Sequence, residues 1–413
     1  MNDIPILDIH THFHQNLGDM NIYLAAMERN NVARAVSLSQ AYSSIGTNKA
    51  YAYIARLLRP EMFIVFTAVD YRDVAEGDEA FIANACRRLE DDVMHGAQGL
   101  KLHISNAALR IPPDDIRLRA LYDKAAELSI PILYHVQLQI GTRRAAAASA
   151  AIPASVCHEA MLTVLKGHPE TNFILAHNGS CCDRPSVLRL SGMLGDYPNL
   201  YVDTSATFLF YSMLKQVDLF RQHFVANQDR ILFGTDINVS APIDVDDLTQ
   251  YLDDAYEINR KFLGTSGTFD MRDELRYRKR EWVYDTRRWE TLATYEGEFV
   301  GLGLHEDILE KVFHKNAEKL LGPEHELDRE WVIDAAGRLL AELKKARDKS
   351  TTRPMEFTEY FTFAAQYVGP FFEEVVASQG PEALRTAYND TWTTPPAVTD
   401  QFIATLAEAV AGL

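Results

Sequence analysis

The sequence predicts an α/β fold: a (β/α)8, or TIM, barrel with a helical insertion after strand eight and a helical C-terminal extension. Three observations carry this reading. Eight short apolar runs alternate with longer stretches of helical period, the pattern of repeated βα units around a parallel sheet. The stretches between them are long enough to cross back over the sheet and start the next strand in parallel. The chain has 413 residues, which covers one barrel of ~250 residues and leaves room for additions.

Taken in chain order, the strands are expected at Ile4–His12, Val32–Ser39, Phe63–Val69, Gly99–His103, Ile130–Val136, Asn172–His177, Leu200–Thr204 and Arg230–Asp236. Amphipathic helices are expected between them, among others at Asp78–Met94, Asp114–Leu128 and Ser155–Lys166. After Asp236 the alternation stops. Residues 246–300 read as a charge-rich insertion, in which Met271 to Glu281 carries mixed charge and suits a solvated helix face. A closing helix is expected at Glu306–Leu321, ended by Gly322-Pro323. The barrel domain thus spans 1–322, and 323–413 forms the helical extension. Its aromatics at Phe357, Tyr360, Phe361, Phe363, Phe371 and Phe372 exceed what an exposed tail tolerates. They point to packing on the barrel or on a second copy, and so to a homo-oligomer, a dimer being the expectation.

Composition narrows the partners. A net charge of −17 and a pI near 5.2 argue against nucleic acid and anionic membranes, both of which ask for a basic footprint. A small-molecule substrate is the partner expected instead. No uncharged apolar run reaches the ~20 residues of a membrane span. Cys86, Cys157, Cys181 and Cys182 form no CxxC pair, so neither a zinc knuckle nor a disulfide framework is indicated, and a cytoplasmic protein is expected.

The chemistry concentrates at strand ends. In Asp8-Ile9-His10-Thr11-His12 the two-residue period turns both imidazoles to one side of the first strand. A lone buried histidine is usually structural. Two facing a barrel interior are hard to explain by packing, because unpaired buried imidazoles are costly. His135, His177 and Asp236 close strands five, six and eight in the same way, on the face where such barrels build their active sites. Imidazole nitrogens with a carboxylate suit Zn2+ first, with Mn2+, Fe2+ or Co2+ as alternatives, and disfavour calcium, which takes oxygens. Such an ion lowers the pKa of water towards ~7, and Asp236 is placed to take that water's proton.

Further motifs follow in order: Gly99-Leu100-Lys101-Leu102-His103, Leu121-Tyr122, Ile130-Pro131-Ile132, Ala176-His177-Asn178-Gly179, Phe233-Gly234-Thr235-Asp236 and Asn316-Ala317-Glu318-Lys319-Leu320-Leu321. With His10-Thr11-His12 they resemble the amidohydrolase superfamily, and within it the amidohydrolase-related branch typified by aminocarboxymuconate-semialdehyde decarboxylase. The resemblance runs from Leu7 to about Leu321. It implies His10, His12, His135 and Asp236 as ligands of one divalent metal, with His177 as an acid/base or electrostatic residue beside the activated water. Lys101 matches the lysine that dinuclear members carboxylate to bridge two ions; in this branch it is often unmodified, and one ion is expected. Ile237-Asn238-Val239 departs from the aromatic-proline ending of relatives, so the loop after strand eight is expected to shape a different pocket.

The same resemblance implies the activity: metal-activated water hydrolysing an ester, lactone or amide bond of a small, carboxylate-bearing substrate. Non-oxidative decarboxylation of an aromatic or unsaturated acid is the alternative, since the branch holds both chemistries on one ligand set. A catalytically silent barrel serving as a binding or scaffold protein is a third reading, which the intact ligand set opposes. Lys101 and His103 are expected to line the pocket. Arg143, Arg144, Arg184 and Arg72 fall in predicted loops over the mouth, where a guanidinium fork suits a substrate carboxylate, although surface salt bridges are the commoner fate of any one arginine. Tyr42 and Tyr71 lie in similar loops.

Overall fold

The structure, a computed structural model, describes residues 3–12, 20–39, 52–53, 55–68, 78–104, 111–136, 152–205, 208–238, 245–270 and 295–333. Eight parallel strands run in sequence order around a nearly closed barrel: β1 Ile6–His12, β2 Val32–Leu38, β3 Phe63–Ala68, β4 Ala97–Leu102, β5 Ile132–Tyr134, β6 Phe173–Leu175, β7 Leu200–Asp203 and β8 Ile231–Leu232. A short ninth segment, β9 Ile237–Asn238, continues the eighth strand and pairs in parallel with β1, Thr11 opposite Ile237 and His12 opposite Asn238. The predicted strand Arg230–Asp236 is therefore broken. Asp236 adopts φ 59°, and the chain turns there before it resumes alongside β1. Gly234, just before, leaves no room for a side chain: a Cβ would come within 2.9 Å of the Cβ of His10.

Alternation sorts the strand residues into two layers. Leu7, Ile9, Val36, Leu38, Ile64, Phe66, Leu133, Ile174 and Leu232 fill the barrel, plugged by Ala317 and Leu320 of the last helix. Gly99 is required here, because the Phe66 ring lies 2.5 Å from where its Cβ would stand. The other face of the strands meets the surrounding helices in the larger core. The helix Asp78–Met94 has the predicted bounds, and Ala154–Gly167 extends its expected span by a residue at each end. Asp114–Leu128 instead splits into a 3-10 turn, Ile116–Leu118, capped by Asp115, and the helix Arg119–Glu127.

Two later segments are more integral to the barrel than their sequence signals. The stretch read as an insertion opens with the helix Val245–Gly264, whose Leu252, Tyr256, Ile258 and Phe262 are fully buried in the main core. Arg29 and Asn30 both bond Asp253 on its flank. A two-strand hairpin, Thr268–Phe269 with Phe299–Val300, follows; Met271 to Glu281 lie outside the described residues. The closing helix runs from Glu306 to Leu320 through a π-helical stretch, Lys311–Lys315. Beyond it the start of the extension is held down. Trp331 stacks on His95 at 4.5 Å between ring centroids, and buried Arg56 pairs with Glu324 at 3.4 Å. The aromatics from Phe357 onward lie outside the described residues. No described helix is long and apolar enough to cross a membrane.

Candidate active site and metal centre

The ends of β1, β5, β6, β7 and β8 bring the polar residues together. In β1 the geometry depends on a bulge. Asp8 lies opposite Ala35 and Thr11 opposite Ser37, so Ile9 and His10 share the single partner Val36. Ile9 packs in the barrel, Thr11 donates to the Val36 carbonyl outside it at 2.8 Å, and His10 and His12 both face the site. The extra residue also turns Asp8 away from the two histidines. There its carboxylate accepts from the His10 backbone N–H at 3.1 Å, the Thr235 N–H at 3.1 Å and the Thr235 hydroxyl at 2.6 Å. The amide freed by the bulge is thereby satisfied, and burial pushes the Asp8 carboxyl up to about 7.

His10, His12 and Asp236 form one close group of ligand atoms. His12 Nε2 is 3.1 Å and His10 Nε2 3.4 Å from Asp236 Oδ1. Ligands at ~2.0–2.1 Å in a tetrahedral shell stand about 3.3 Å apart, so these spacings fit one shared ion. Their charge states fit as well. Burial holds His12 down at about 4, hence neutral, and Asp236 stays well below the usual carboxylate range: burial opposes this, but the His12 hydrogen bond and the neighbouring imidazoles outweigh it. Metal ligands must be deprotonated, as His12 and Asp236 are. Asp236 alone of the three opens to the barrel mouth, 16% exposed against 0% for His10 and 3% for His12.

His135 is not in that group. Its Nδ1 lies 3.2 Å from His177 Nε2, and its ring is 3.8 Å from that of His103. His177 stacks on His10 at 4.9 Å, and burial lowers it to about 3. Lys101 reaches the same edge of His10, Nζ to Nε2 3.3 Å, and burial brings its ammonium down to about 8 despite Asp203 and Asp236 nearby. Arg184 is exposed in the first turn of the helix that follows β6, outside the histidine cluster. Arg72, Arg143, Arg144, Tyr42 and Tyr71 lie outside the described residues.

Sequence reasoning missed Asp203. It ends β7 as His135 and His177 follow β5 and β6, so the same position-in-strand criterion would have found it. Asp203 Oδ2 is 2.7 Å from His10 Nδ1 and Oδ1 accepts the His177 backbone N–H at 2.7 Å. Burial pushes this carboxyl up, but hydrogen bonds from His10 and Ser205 and the nearby His177 hold it at about 2. His177, Asn178, Gly179 and Ser180 all have positive φ, one turn of left-handed backbone at the end of β6. Asn178 is pinned by His223, whose Nε2 is 3.0 Å from its side-chain oxygen, and Gly179 by His158, which bonds its carbonyl at 2.7 Å.

A parallel barrel with histidines and a carboxylate gathered at the C-terminal strand ends defines the class: a barrel enzyme with a divalent-metal site. The chain belongs to the amidohydrolase family, whose model matches residues 8–322, and members of that superfamily use a divalent metal. No curated relative matches the sequence. Among solved structures, a 4-oxalomesaconate hydratase from Rhodopseudomonas palustris is 17% identical, covering 82% of this chain and 99% of its own, with a TM-score of 0.48. A probable 2-pyrone-4,6-dicarboxylic acid hydrolase from Acinetobacter baumannii, with citric acid bound, is 11% identical over 78% of this chain and 99% of its own, TM-score 0.45. A 2,6-dihydroxybenzoate decarboxylase from Rhizobium is 15% identical over 76% and 98%, TM-score 0.43.

Proposed function

We propose that the protein is a metal-dependent hydrolase that opens an ester, lactone or amide bond of a small, carboxylate-bearing substrate, with zinc as the ion. The observation that carries this reading is the spacing of His10, His12 and Asp236, which suits one ion, together with the opening of Asp236 alone toward the mouth. A divalent ion there supplies Lewis acidity, bringing the pKa of water toward ~7 and polarising a carbonyl. The chain's own part is the proton. Asp236 keeps Oδ1 against two imidazoles and is ionised, so its carboxylate accepts the proton that the attacking water gives up. His177 is neutral at working pH because burial opposes its charge, and in this reading it serves as a hydrogen-bonding group rather than a cation. Lys101, 3.3 Å from His10, offers the positive charge that a developing oxyanion needs.

The test is a panel of lactones, esters and aromatic carboxylates presented to the zinc-loaded protein, with proton release and CO2 release followed in parallel. Proton release without CO2 supports hydrolysis. CO2 release from an aromatic or unsaturated acid replaces it with decarboxylation on the same ligands.

A further inference from the structure

His10 and Asp203 stand within reach of His177 as a second buried group of ligand-type atoms, and the distances show what holds them. Two ligands of one tetrahedral ion stand about 3.3 Å apart. His10 Nδ1 and Asp203 Oδ2 are 2.7 Å apart, as are His177 Nδ1 and Ser205 Oγ, which are hydrogen-bond lengths. Asp203 already accepts from the His177 and Ser205 backbone N–H groups and from the Ser205 hydroxyl, so it is an acceptor and His10 donates its Nδ1–H to it, leaving the lone pair on Nε2, the nitrogen that faces Asp236. The Ser205 hydroxyl is also bonded to Asp203 and must spend its one hydrogen there. Its oxygen can then only accept, so His177 donates Nδ1–H to it at 2.7 Å. A neutral His177 so placed carries its lone pair on Nε2. The partner of that nitrogen is His135 Nδ1 at 3.2 Å, which must therefore be the donor. The consequence for His135 is the same as for His10: its Nε2 is left with the lone pair.

We propose that Asp203 anchors a hydrogen-bond relay through Ser205 and His177 that fixes the tautomers of His10 and His135, so that both present Nε2 lone pairs to the metal. The relay rests on the metal-site reading above and gives His135, which lies apart from the group of His10, His12 and Asp236, a reason to be where it is. His177 and Ser205 act as positioning residues, and Asp203 touches neither substrate nor ion. His10, Asp203, Ser205 and His177 are buried, which keeps water from competing for their hydrogens, and only the last link, to half-buried His135, is partly open.

Long-range 1H–15N spectra of the histidine rings in chelator-treated wild-type protein test this directly, with signals assigned by single histidine substitutions. His10, His135 and His177 are expected as Nδ1–H tautomers. Ser205→Ala should move His177 and His135 toward the Nε2–H form, while His10, which loses the Ser205 hydroxyl 3.0 Å from its Nδ1, stays an Nδ1–H tautomer because Asp203 still accepts from it. Asp203→Asn should disturb His10 and weaken zinc binding by ~10–100-fold, the usual cost of losing a carboxylate behind a ligating histidine. A purely structural role would lower melting temperature without moving tautomers. An Nε2–H signal for His10 or His135 in the wild type overturns the relay, as does zinc affinity unchanged in a folded Asp203→Asn. Should that variant not fold, the wild-type spectrum and Ser205→Ala decide alone. Wild-type protein that binds no zinc overturns the proposed function, whereas the relay is judged by the spectrum.

Discussion

On the function proposed, replacing Asp236 should separate binding from turnover. His10 and His12 stay in place in Asp236→Asn, and the amide keeps an oxygen of the same shape, so the variant should retain most of its metal. It cannot accept a proton, and loss of a general base costs ~10²–10⁴-fold in rate. Metal analysis beside a turnover assay checks this; a rate near wild type with metal bound would move the proton acceptor elsewhere. His10→Ala should do the reverse and release the metal from a barrel that still folds, because stability comes from the layered residues beneath, Leu7, Val36, Phe66 and Leu133 among them. At this scale the sequence singled out His10, His12 and Asp236 from one residue type at a strand end, and the structure brings their ligand atoms together. It was opaque where meaning lies in a pairing. Asp203 is an ordinary strand-end carboxylate until β7 is set beside β1 and β6, which places His10 Nδ1 and the His177 amide on its two oxygens. The bulge at Ile9 and His10 is likewise a property of the ladder with β2 and leaves no mark in the period-2 pattern.

Among the elements, the left-handed turn after β6 invites two tests. A non-glycine residue in this region costs ~1–2 kcal/mol, and the turn holds three, so it persists only because its neighbours fix it. Gly179→Ala adds a fourth and brings a Cβ to 3.2 Å from His158 Nε2. We expect a melting temperature lower by several degrees and weaker metal binding through a shifted His177; an unchanged melting temperature would mean that the turn is slack. The second test is pH. His223, kept neutral by burial, donates from Nε2 to Asn178 and accepts at Nδ1 from the Ser191 hydroxyl at 2.6 Å. Burial lowers its pKa from 6.5 to about 4. The unfolded chain therefore binds the proton first as pH falls, and stability present above pH 6.5 is lost progressively toward about 4, on the order of 3 kcal/mol. His12 and His177 add to this loss, while Asp8, raised to about 7, opposes it over the same interval. In metal-free protein His223→Gln should flatten the fall in melting temperature between pH 6.5 and 4; a slope equal to wild type would remove His223 from the account. Helix periods were legible because each helix lays one apolar face on the sheet. The turn was not, since Ala176-His177-Asn178-Gly179 holds no signal that forces positive φ at histidine.

For the whole molecule, the order of strands and the face carrying the site followed from the alternation of apolar runs and the strand-end histidines, because parallel strands joined by crossovers leave few topologies. The place of Val245–Gly264 did not: its charged face dominates the sequence, and only the packed structure shows Leu252, Tyr256 and Phe262 buried. One ion per chain is expected by elemental analysis, and chelation should lower the melting temperature by an amount that grows with the logarithm of the ion concentration, since binding to the folded state alone adds ~2.7 kcal/mol at a hundredfold excess over Kd. Two ions per chain would assign Lys101 the bridging role instead. The broken eighth strand gives that ion a second effect. The barrel closes where Ile9 bonds the Phe233 carbonyl and Asp236 N–H bonds the His10 carbonyl, at 2.9 and 2.8 Å, and the same strands carry the three close-set ligands. The ring is thus joined at the metal site, between the first strand made and the last. An ion there acts as a clasp on the seam, and opening the seam is the natural first event of unfolding. The loaded protein should resist trypsin for longer than the chelated one at equal temperature, with the earliest cuts in the chelated form at Arg29 and Arg230, the tryptic sites nearest β1 and β9, so that metal supply would set how long each molecule survives in a protease-rich environment.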